Sequence, residues 1–521
     1  MSEQSVPLFN FSTDVMERWA KLRADEPALW CVDENGAHEQ RFTFAQLAEQ
    51  FCRAAHFLHA MGIRPGDRVL VLLPRVPQWW VAMLGLTKLG AVPIPGTMLL
   101  TERDIAFRIQ AAEAAAIITS AEVAPRVGSF AGVRIIVGAA PGWMDFDAGL
   151  RESSADFEPE PTRAGDPAII YFTSGTTGPP KMVLHTHASY GLAHRMTGEQ
   201  WLCSEPGDVH WNLADNGWAK AAWSSLYGPW HMGACIFALD ARGKFDAAAA
   251  LRTLAHYPIT TWCAPPTALR LIVREDLSAF RAAHLRHCVS AGEPLNPEVI
   301  AAWRRATGLT IHEGYGQTES VVMIANCRAR GDVVRAGSMG RPAPGFDIAL
   351  LDDELRELPD GVEGEVAVRV APHRPPGLFR EYWRNPQENA ARFRGDWYLT
   401  GDRAVRDGTG HFWFVGRVDD VISSAGYRIG PFEVESALVE HPAVVEAAAV
   451  GKPDQLRGEI VKAFVVLRRG VAASGALARE LQEHCKHVTA PYKYPREIEF
   501  VAELPKTISG KIRRIELRQR G

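Results

Sequence analysis

The chain has 521 residues, 47% of them hydrophobic and 23% charged, a composition typical of globular proteins and unlike that of disordered ones. Its net charge of −4 argues against general nucleic-acid binding, and no apolar run in the sequence reaches the length of a membrane-spanning helix. Because the length exceeds what one hydrophobic core supports, we expect several domains.

Apolar runs typical of buried strands alternate with amphipathic helical stretches in the first part of the chain. Strands are predicted at residues 68–74, 114–119, 133–137, 168–172, 234–238 and 260–264. A helix is predicted at residues 78–89, directly after the first of these strands. This alternation favours parallel sheets covered by helices, that is, an α/β fold.

The pattern changes after residue 340. Short alternating segments such as residues 347–351 and 364–368, broken by glycine and proline, predict a small antiparallel or barrel-like unit. Beyond residues 416–420 a second α/β pattern begins, with helices predicted at 431–440 and 479–487 and strands at 447–450 and 461–467. We therefore predict an N-terminal region, residues 1–418, with subdomains at about 1–165, 166–340 and 341–418, and a smaller mobile domain, residues 419–521, hinged at Asp419.

A glycine-rich loop follows the strand predicted at residues 168–172. It contains Thr173, Ser174, Gly175, Thr176, Thr177, Gly178 and Lys181. Glycines let the main chain approach an anion, the hydroxyls are donors, and the lysine supplies a point charge, so the loop predicts a phosphate site. The loop differs from the P-loop because no glycine directly precedes Lys181 and Met182 follows it. The alternative is a flexible surface loop.

Five motifs in this order resemble those of the adenylate-forming family, which comprises acyl-CoA synthetases, adenylation domains and luciferases. After the glycine-rich loop come the segments at residues 315–319, 397–402, 416–420 and 505–511. The resemblance covers nearly the whole chain, and residues 425–431 and 489–496 resemble the medium-chain acyl-CoA synthetase branch. It implies a ligase of fatty-acid metabolism with ATP, Mg²⁺ and coenzyme A as cofactors.

The family implies two half-reactions. A carboxylate attacks the α-phosphate of ATP to give an acyl-adenylate and pyrophosphate, and the CoA thiol then takes the acyl group. Because attack on phosphate builds up negative charge, cations and fixed donors must surround it. The resemblance gives Lys511 the role of bridging carboxylate and phosphate, Thr318 that of a donor to the α-phosphate, and Glu319 that of the Mg²⁺ ligand. These three are the predicted catalytic residues.

The resemblance also implies a larger ATP-binding set. Asp402 corresponds to the carboxylate that accepts from both ribose hydroxyls, Arg417 to a second ribose contact, and the segment at residues 291–294 to the one against which adenine lies. With the glycine-rich loop and the catalytic residues, the set comprises Gly292, Glu293, Pro294, Glu313, Gly314, Tyr315, Gly316, Gln317, Asp402, Arg417 and Arg428.

Structural roles remain open for several of these residues. Asp402 would be a turn aspartate after a strand, Arg417 a surface ion-pair partner, and Glu319 an acid at a helix N-terminus. The basic residues near the C-terminus other than Lys511 are typical of a solvated tail.

The acyl pocket and the CoA channel carry weaker signals. The resemblance makes Trp218 a wall of the acyl pocket, with an ordinary core tryptophan as the alternative. Lys220 is unusual so close to an alkyl tail, and it would extend to solvent, pair with an acid or meet a polar group of the substrate. Gly426 is predicted to flank the pantetheine path, with a turn glycine as the alternative. Tyr427, Arg457 and Lys493 are the other predicted CoA contacts.

The sequence therefore predicts a synthetase that joins a short- to medium-chain monocarboxylic acid, branched and aromatic acids included, to CoA. One alternative is an adenylating enzyme that loads a carrier-protein thiol, and another is a regulator that binds nucleotide or acyl-CoA without catalysis. The predicted partners are the acid, ATP and CoA, with no nucleic acid, and the protein is expected to be a monomer or homo-oligomer. Without a recognisable export signal, a cytoplasmic location is expected. Eight scattered cysteines predict free thiols.

Overall fold

Five β-sheets organise the fold in a computed structural model, which describes residues 7–173, 180–424, 427–506 and 511–520. The strands before residue 166 are β1 (Pro27–Asp33), β2 (Glu39–Thr43), β3 (Arg68–Leu72), β4 (Val92–Pro95), β5 (Ala116–Ser120), β6 (Val133–Val137) and β7 (Met144–Asp145). The helices there are α1 (Arg18–Leu22), α2 (Phe44–Ala60), α3 (Pro77–Leu89), α4 (Glu102–Ala112) and α5 (Phe146–Glu152). Strands β4-β3-β5-β6-β7 form a parallel sheet, as the alternating pattern predicts.

Local sequence determines where several of these helices begin and end. Thr43 and Thr101 cap α2 and α4: each hydroxyl accepts from the amide three residues on, and the side chain of Gln46 or Asp104 accepts from the capping residue's own amide. Gly90, with a φ of 77°, ends α3 in the left-handed region that glycine tolerates best.

The next region contributes most of the largest sheet. Its strands are β8 (Pro167–Thr173), β9 (Lys181–Thr186), β10 (Val209–Asn212), β11 (Cys235–Asp240), β12 (Thr261–Cys263), β13 (His287–Ala291), β14 (Ile311–Tyr315), β15 (Ile324–Ala325) and β16 (Arg341–Pro342). Its helices are α6 (His194–Met196), α7 (Ala219–Ala222), α8 (Gly228–His231), α9 (Ala247–His256), α10 (Pro266–Ile272) and α11 (Pro297–Thr307).

The nine-stranded sheet has the order β16-β15-β14-β13-β12-β10-β11-β1-β2. Its central strands are parallel, whereas β2, β15 and β16 pair antiparallel at its two ends. Strands β1 and β2 come from the first predicted subdomain, six strands come from the second, and β16 lies at the start of the third. The predicted division near residue 165 therefore does not separate one sheet from another, and the subdomain boundaries stay a proposal.

The region after residue 341 is an antiparallel unit. It contains β17 (Ile348–Leu351), β18 (Glu363–Arg369), β19 (Glu381–Tyr382), α12 (Pro386–Arg392), β20 (Phe393–Arg394), β21 (Trp397–Arg406) and β22 (Phe412–Arg417). Five of these strands form the order β17-β18-β21-β20, with β22 also paired to β21. Among the described residues the order does not close on itself, so the unit is an antiparallel sheet rather than a barrel. Strand β19 instead extends the β8–β9 hairpin.

The last hundred residues form a fifth sheet with a core of its own. Its elements are β23 (Ile422–Ser424), β24 (Tyr427–Ile429), α13 (Pro431–Glu440), β25 (Val444–Asp454), β26 (Gly458–Leu467), α14 (Gly475–Val488), β27 (Glu497–Phe500) and α15 (Arg514–Gln519). Helix α14 begins four residues before the predicted start because the Ser474 hydroxyl accepts from the Leu477 amide and caps it. This unit contacts the N-terminal region, for example where the Asn296 amide donates to the Ser436 hydroxyl at 3.0 Å. Within the described residues, no helix could span a membrane.

Candidate active site

One edge of the nine-stranded sheet collects the predicted site residues. Strands β10, β12, β13 and β14 are parallel, so the segments that follow their carboxyl ends lie along the same edge. These segments are residues 213–220 after β10, 292–296 after β13 and 316–320 after β14. In open α/β sheets this edge is where ligands bind, and here it brings together motifs that are far apart in sequence.

The Asp402 carboxylate is the centre of a hydrogen-bonded cluster. The Tyr315 hydroxyl and the Gln317 amide nitrogen both donate to its Oδ2, each at 2.6 Å. Arg417 faces Asp402 across the β21–β22 ladder, with its Nε at 3.8 Å from Oδ1. Asp402 lies inside β21 and is buried, so the turn alternative is wrong for it. Three residues of the predicted ATP-binding set thus converge on the carboxylate of a fourth.

Two glycines let the segment after β14 pack closely. A Cβ on Gly314 would lie 2.7 Å from the Trp201 ring, and one on Gly316 would lie 2.5 Å from the Val321 carbonyl oxygen. Neither backbone could keep this position with a larger residue. The two glycines therefore serve the path of the chain that presents Gln317 and the residues after it.

Thr318 and Glu319 occupy the turn after this segment, each held by a residue outside the motifs. The His185 Nε2 lies 2.8 Å from the Thr318 carbonyl oxygen, and the Tyr382 hydroxyl donates to Glu319 Oε1 at 2.8 Å. Burial lowers the pKa of His185 to about 3, so the ring is neutral at physiological pH and donates one N–H. Glu319 lies in a turn and not at a helix N-terminus, so that alternative is wrong.

Burial raises the pKa of the Glu319 carboxyl, while the hydrogen bond from Tyr382 acts in the opposite direction. Within the described residues no group of three or more His, Cys, Asp or Glu side chains is arranged to hold a metal ion. Glu319 is nevertheless a hard oxygen ligand at the predicted phosphate site. Mg²⁺ commonly takes one or two protein carboxylates and completes its shell with phosphates and water, so the donor set fits this ion.

The glycine-rich loop joins β8 to β9. Thr173 and Lys181 face each other at its two ends, and Ser174, Gly175, Thr176, Thr177 and Gly178 lie outside the described residues. The Lys181 ammonium forms an ion pair with Glu388 and lies 5.5 Å from the centre of the Tyr382 ring. Because Tyr382 also binds Glu319, the end of the loop and the turn after β14 share one tyrosine.

The predicted adenine segment follows β13. Gly292 has a φ of 102°, in the left-handed region, and Pro294 is half-buried. Arg270 of α10 donates to the Glu293 carboxylate at 2.9 Å, which fixes the direction of that side chain. Glycine is the residue that adopts this backbone conformation without strain.

Glu313 is a buried carboxyl behind this segment. Its Oε1 accepts from the Leu295 amide at 3.0 Å, and its Oε2 is buried without a hydrogen-bond partner. Burial raises its pKa to about 8, although the hydrogen bond from the Leu295 amide lowers it. The residue thus ties β14 to the predicted adenine segment from behind and is mostly protonated at neutral pH.

Lys220 points towards the predicted adenine segment. Its ammonium donates to the Ala291 carbonyl oxygen at 2.6 Å, and its Cδ is 4.0 Å from where a Cβ of Gly292 would be. Burial lowers the pKa of Lys220, the charge of Glu293 raises it and that of Lys511 lowers it further. The structure shows a pairing with a main-chain carbonyl oxygen, which was not among the three predicted alternatives, rather than an extension to solvent.

Trp218 and Lys511 lie at two borders of the same region. Trp218 precedes α7, which carries Lys220, and is half-buried rather than enclosed like a core tryptophan. Lys511 lies in the C-terminal unit, and its charge acts on Lys220 of the N-terminal region. The two lysines are therefore close enough to interact although 291 positions separate them in the sequence.

The predicted CoA residues are more scattered. The Tyr427 ring is half exposed and stacks on Tyr492 with 4.3 Å between ring centres, and Lys493 forms an ion pair with Glu433. Arg457 is exposed in the turn between β25 and β26. Gly426 and the side chain of Arg428 lie outside what the structure describes. These residues stay predictions.

Sequence reasoning missed four residues that hold the site: His185, Arg270, Tyr382 and Glu388. His185 is 133 positions from Thr318, and Tyr382 is 63 positions from Glu319. No local pattern could have identified them, because each reaches the site through the tertiary fold. Tyr382, for example, is brought there by the pairing of β19 with β9.

Comparison with known proteins relates the chain to one family over most of its length. Residues 16–383 match the family described as AMP-binding enzyme, and residues 433–511 match the AMP-binding enzyme C-terminal domain. A Homo sapiens protein named acyl-coenzyme A synthetase ACSM5, mitochondrial, is 48% identical over 535 residues, which cover 99% of this chain and 92% of that protein. For the acyl-coenzyme A synthetase ACSM3, mitochondrial, of Mus musculus, the identity is 47% over 528 residues, covering 98% and 90%.

Solved structures agree with this similarity. The anthranilate CoA ligase AuaEII in complex with anthranoyl-AMP superposes with a TM-score of 0.91 at 31% identity, over 100% of this chain and 99% of that one. A benzoate CoA ligase from Burkholderia xenovorans LB400 gives a TM-score of 0.85 at 30% identity, over 98% and 100% of the two chains. Both the large N-terminal region and the smaller C-terminal unit are therefore part of the likeness.

Glu313→Gln tests the buried carboxyl. Between the ordinary pKa of 4.5 and the folded value of about 8, the folded protein keeps a proton that the unfolded chain has released. The free energy of unfolding must therefore fall as pH rises through this window, and glutamine, which cannot ionise, should remove this part of the fall. Urea denaturation of both proteins at pH 6 and pH 8 measures the free energy of unfolding at each pH.

The exposed Glu160→Gln is the matched control and should keep the wild-type pH dependence. If Glu313→Gln and the wild type lose the same stability between the two pH values, Glu313 is ionised in the folded protein and the assignment is wrong.

Proposed function

Because the chain belongs to the AMP-binding enzyme family and is an AMP-forming acid–thiol ligase, we propose which acids it takes and which residues carry each step. An acyl-CoA synthetase first makes an acyl-adenylate from a carboxylic acid and ATP, releasing pyrophosphate, and then transfers the acyl group to CoA. The observation that best supports the residue roles is the convergence of Tyr315, Gln317 and Arg417 on the Asp402 carboxylate.

In the adenylation step, Lys511 meets the carboxylate and the α-phosphate, where attack builds up negative charge. The Thr318 hydroxyl donates to the α-phosphate from the turn whose carbonyl His185 holds. Residues 173–181 receive the departing pyrophosphate with main-chain amides, hydroxyls and the Lys181 charge. Fixed donors of this kind lower the barrier because they need no reorganisation during the reaction.

The nucleotide is held through its sugar and base. Asp402 accepts from the ribose hydroxyls, and Arg417 adds a second ribose contact. Tyr315 and Gln317 already hold Asp402 Oδ2, so the carboxylate is oriented before the nucleotide arrives. The adenine ring lies against residues 292–294, whose backbone Gly292 bends and whose Glu293 is fixed by Arg270.

Glu319 would hold Mg²⁺, which would supply charge neutralisation for the phosphates. Tyr382 orients Glu319 by the hydrogen bond to its Oε1. This leaves the carboxylate pointing in one direction, as a ligand for a geometrically strict ion requires.

We propose that the substrate is a short- to medium-chain monocarboxylic acid, with branched and aromatic acids in its range. Trp218 forms one wall of the acyl pocket, and aromatic side chains suit both flat rings and alkyl chains. The similar anthranilate and benzoate CoA ligases are named for aromatic acids, which supports including them. Lys220 bonds the Ala291 carbonyl oxygen, so its charge is partly satisfied and an apolar acyl group can lie beside it.

The acyl acceptor is CoA rather than a carrier-protein thiol, because the relatives and the structures named above carry CoA in their names. Gly426, Tyr427, Arg457 and Lys493 are the proposed CoA contacts. A cytoplasmic location stays a proposal, whereas the ACSM relatives are named mitochondrial. Gel filtration would decide between a monomer and a homo-oligomer.

A panel of acids tests the substrate class. We expect pyrophosphate release with straight-chain acids from acetic to dodecanoic acid to peak at short or medium length, and to extend to branched acids and benzoic acid. Addition of CoA should convert each accepted acid to its thioester. Chromatography measures the thioester that is formed. Pyrophosphate release without thioester formation from CoA would favour the carrier-protein alternative, and neither product would favour the regulator.

Lys511→Ala separates the two half-reactions. Adenylation should fall at least about a hundredfold, the order seen when one stabilising donor is removed, whereas thioester formation from supplied acyl-adenylate should change little. Pyrophosphate release and thioester formation are measured separately. Lys506→Ala in the same segment, which removes an ammonium paired with Glu446, is the control and should leave both steps near wild type. An equal fall in both steps after Lys511→Ala would contradict the role.

Asp419→Pro tests the hinge. Two chemistries at one site need Lys511 present in the first step and displaced in the second, which rotation about Asp419 provides. Proline fixes φ at about −65°, so adenylation should persist while thioester formation falls. Asp419→Ala removes the side chain but leaves φ free and should keep both steps. Full thioester activity in the proline variant would place the rotation elsewhere.

A further inference from the structure

Two arginines of the last helix, α15, bind the chain at the predicted hinge. Arg518 Nη2 donates to the main-chain oxygen of Asp419 and to Asp420 Oδ1, both at 2.8 Å. Arg514 Nη1 lies 3.7 Å from Asp420 Oδ2. The two arginines are four positions apart and so lie on one face of α15, one on each oxygen of the Asp420 carboxylate. We call this pair the arginine clamp.

The clamp also reaches the core of the C-terminal unit. Arg514 Nη2 donates to both oxygens of Glu435 in α13, at 2.7 and 2.8 Å, and Glu435 in turn accepts from the Ala449 amide of β25. Between the two arginines, Leu517 is fully buried against a core that includes Phe464. Helix α15 therefore packs on the C-terminal unit through Leu517 and binds the predicted hinge through its two arginines.

The hinge is fixed differently on its two sides. On the N-terminal side, the Val418 amide donates to the Gly401 carbonyl oxygen at 2.9 Å, which ties residue 418 to β21. On the C-terminal side, the clamp holds the chain from the Asp419 carbonyl onwards. The Asp420 and Val421 amides both donate to the Arg417 carbonyl oxygen, at 2.9 and 3.1 Å, and these two bonds cross the joint.

Rotation about the backbone between the Val418 amide and the Asp419 carbonyl would break the two crossing bonds and keep the clamp. The Asp419 carbonyl moves with all that follows it, because it lies beyond the Cα–C bond of that residue. Arg514 is only three positions after Lys511. The clamp therefore connects the joint directly to the segment that carries the catalytic lysine.

We propose that Arg514 and Arg518 are positioning residues that make the hinge and the Lys511 segment move as one rigid lever. This rests on the proposed role of Lys511 and on the proposed hinge. With the clamp intact, a small change of dihedral angle at residues 418–419 sets where the Lys511 ammonium lies. Without it, the chain at residues 419–420 bends independently of α15, and Lys511 is less often aligned with the phosphate.

Arg518→Met tests the proposal, because methionine keeps much of the apolar stem and loses the charge and the donors. Adenylation at saturating ATP should fall about 10- to 100-fold, the order expected from misplacing a catalytic group by about 1 Å. The Kd for ATP, measured by calorimetry, should change less than about twofold, and thioester formation from supplied acyl-adenylate should fall less than adenylation. Arg518→Lys, which keeps one charged donor, should recover part of the loss.

Arg513→Met is the matched control. Arg513 lies next to Arg514 and pairs with Glu516 in its own helical turn, so its removal takes the same charge from α15 without touching the hinge. Both half-reactions should stay near wild type in this variant. If it lowers adenylation as much as Arg518→Met, the effect is one of charge on α15 and the clamp has no special role.

A double-mutant cycle separates positioning from simple loss of stability. If Arg518 acts through Lys511, Arg518→Met should lower adenylation little further in a Lys511→Ala background, because the group that it positions is already gone. Independent, multiplicative losses would overturn the proposal. If thermal unfolding shows that Arg518→Met is not folded, Asp420→Asn replaces it, because this change weakens the clamp from the other side. The loss of adenylation in Asp420→Asn must then depend on Lys511 in the same way.

The single variant Lys511→Ala distinguishes a failure of the proposed role of Lys511 from a failure of the clamp proposal. If it leaves adenylation intact, the proposed role of Lys511 fails and the clamp proposal fails with it. If it abolishes adenylation while Arg518→Met has no effect on either step, only the clamp proposal fails.

Discussion

The carboxylate of Asp402 connects three parts of this molecule. It lies in β21 of the antiparallel sheet, accepts from Tyr315 at the end of β14 in the nine-stranded sheet, and faces Arg417 just before the hinge. A hydrogen bond to a charged group contributes about 1.5–3 kcal/mol when it is well formed. Because Gln317 shares the same oxygen, the position of the turn that carries Thr318 depends on this carboxylate as well. Sheet packing, the predicted ribose site and the approach to the predicted hinge therefore share one residue.

Burial shifts the pKa values of ionisable groups near this centre, and each shift favours the uncharged form. The carboxyls of Glu313 and Glu319 have raised pKa values and the ammonium of Lys220 has a lowered one, in each case chiefly because desolvation disfavours the charged form. An anionic nucleotide in such a site would meet little negative charge from Glu313, whose pKa of about 8 keeps the carboxyl mostly protonated at neutral pH. The fixed donors around it are also more effective, since water no longer screens them. Burying these polar groups lowers the free energy of unfolding, because each of them loses its hydration.

The two-step reaction requires a site that is complete for one step and open for the next. The N-terminal region holds the phosphate turn, the predicted adenine segment and the proposed acyl pocket, whereas Lys511 comes from the C-terminal unit. Within that unit, the arginine clamp makes the hinge and the last helix one body. A rigid lever of this kind converts a few backbone dihedral changes into a large displacement of one ammonium. Such an arrangement would let the same edge of the sheet serve both chemistries.

Much of the fold could be predicted from local patterns. The strand at residues 133–137 and the helix at residues 431–440 have the predicted bounds, because apolar periodicity and a proline at the first helical position act within a few positions. The boundary predicted near residue 165 does not separate two sheets, since β1 pairs with β11 about 200 positions away and no local pattern shows this pairing. Short strands such as β19 carry too few residues to show a period, and yet β19 delivers Tyr382 to Glu319.

The sequence by itself determined the α/β class, the family and the identity of the motif residues, because ordered motifs of fixed spacing survive without knowledge of the fold. The roles of those residues stay predictions. Only the tertiary structure decided that Asp402 lies inside a strand, that Lys220 bonds a carbonyl oxygen, and that His185, Arg514 and Arg518 support the site. The last two of these facts depend on contacts between residues about 70 to 130 positions apart, and such contacts follow from sheet order and packing rather than from any local pattern.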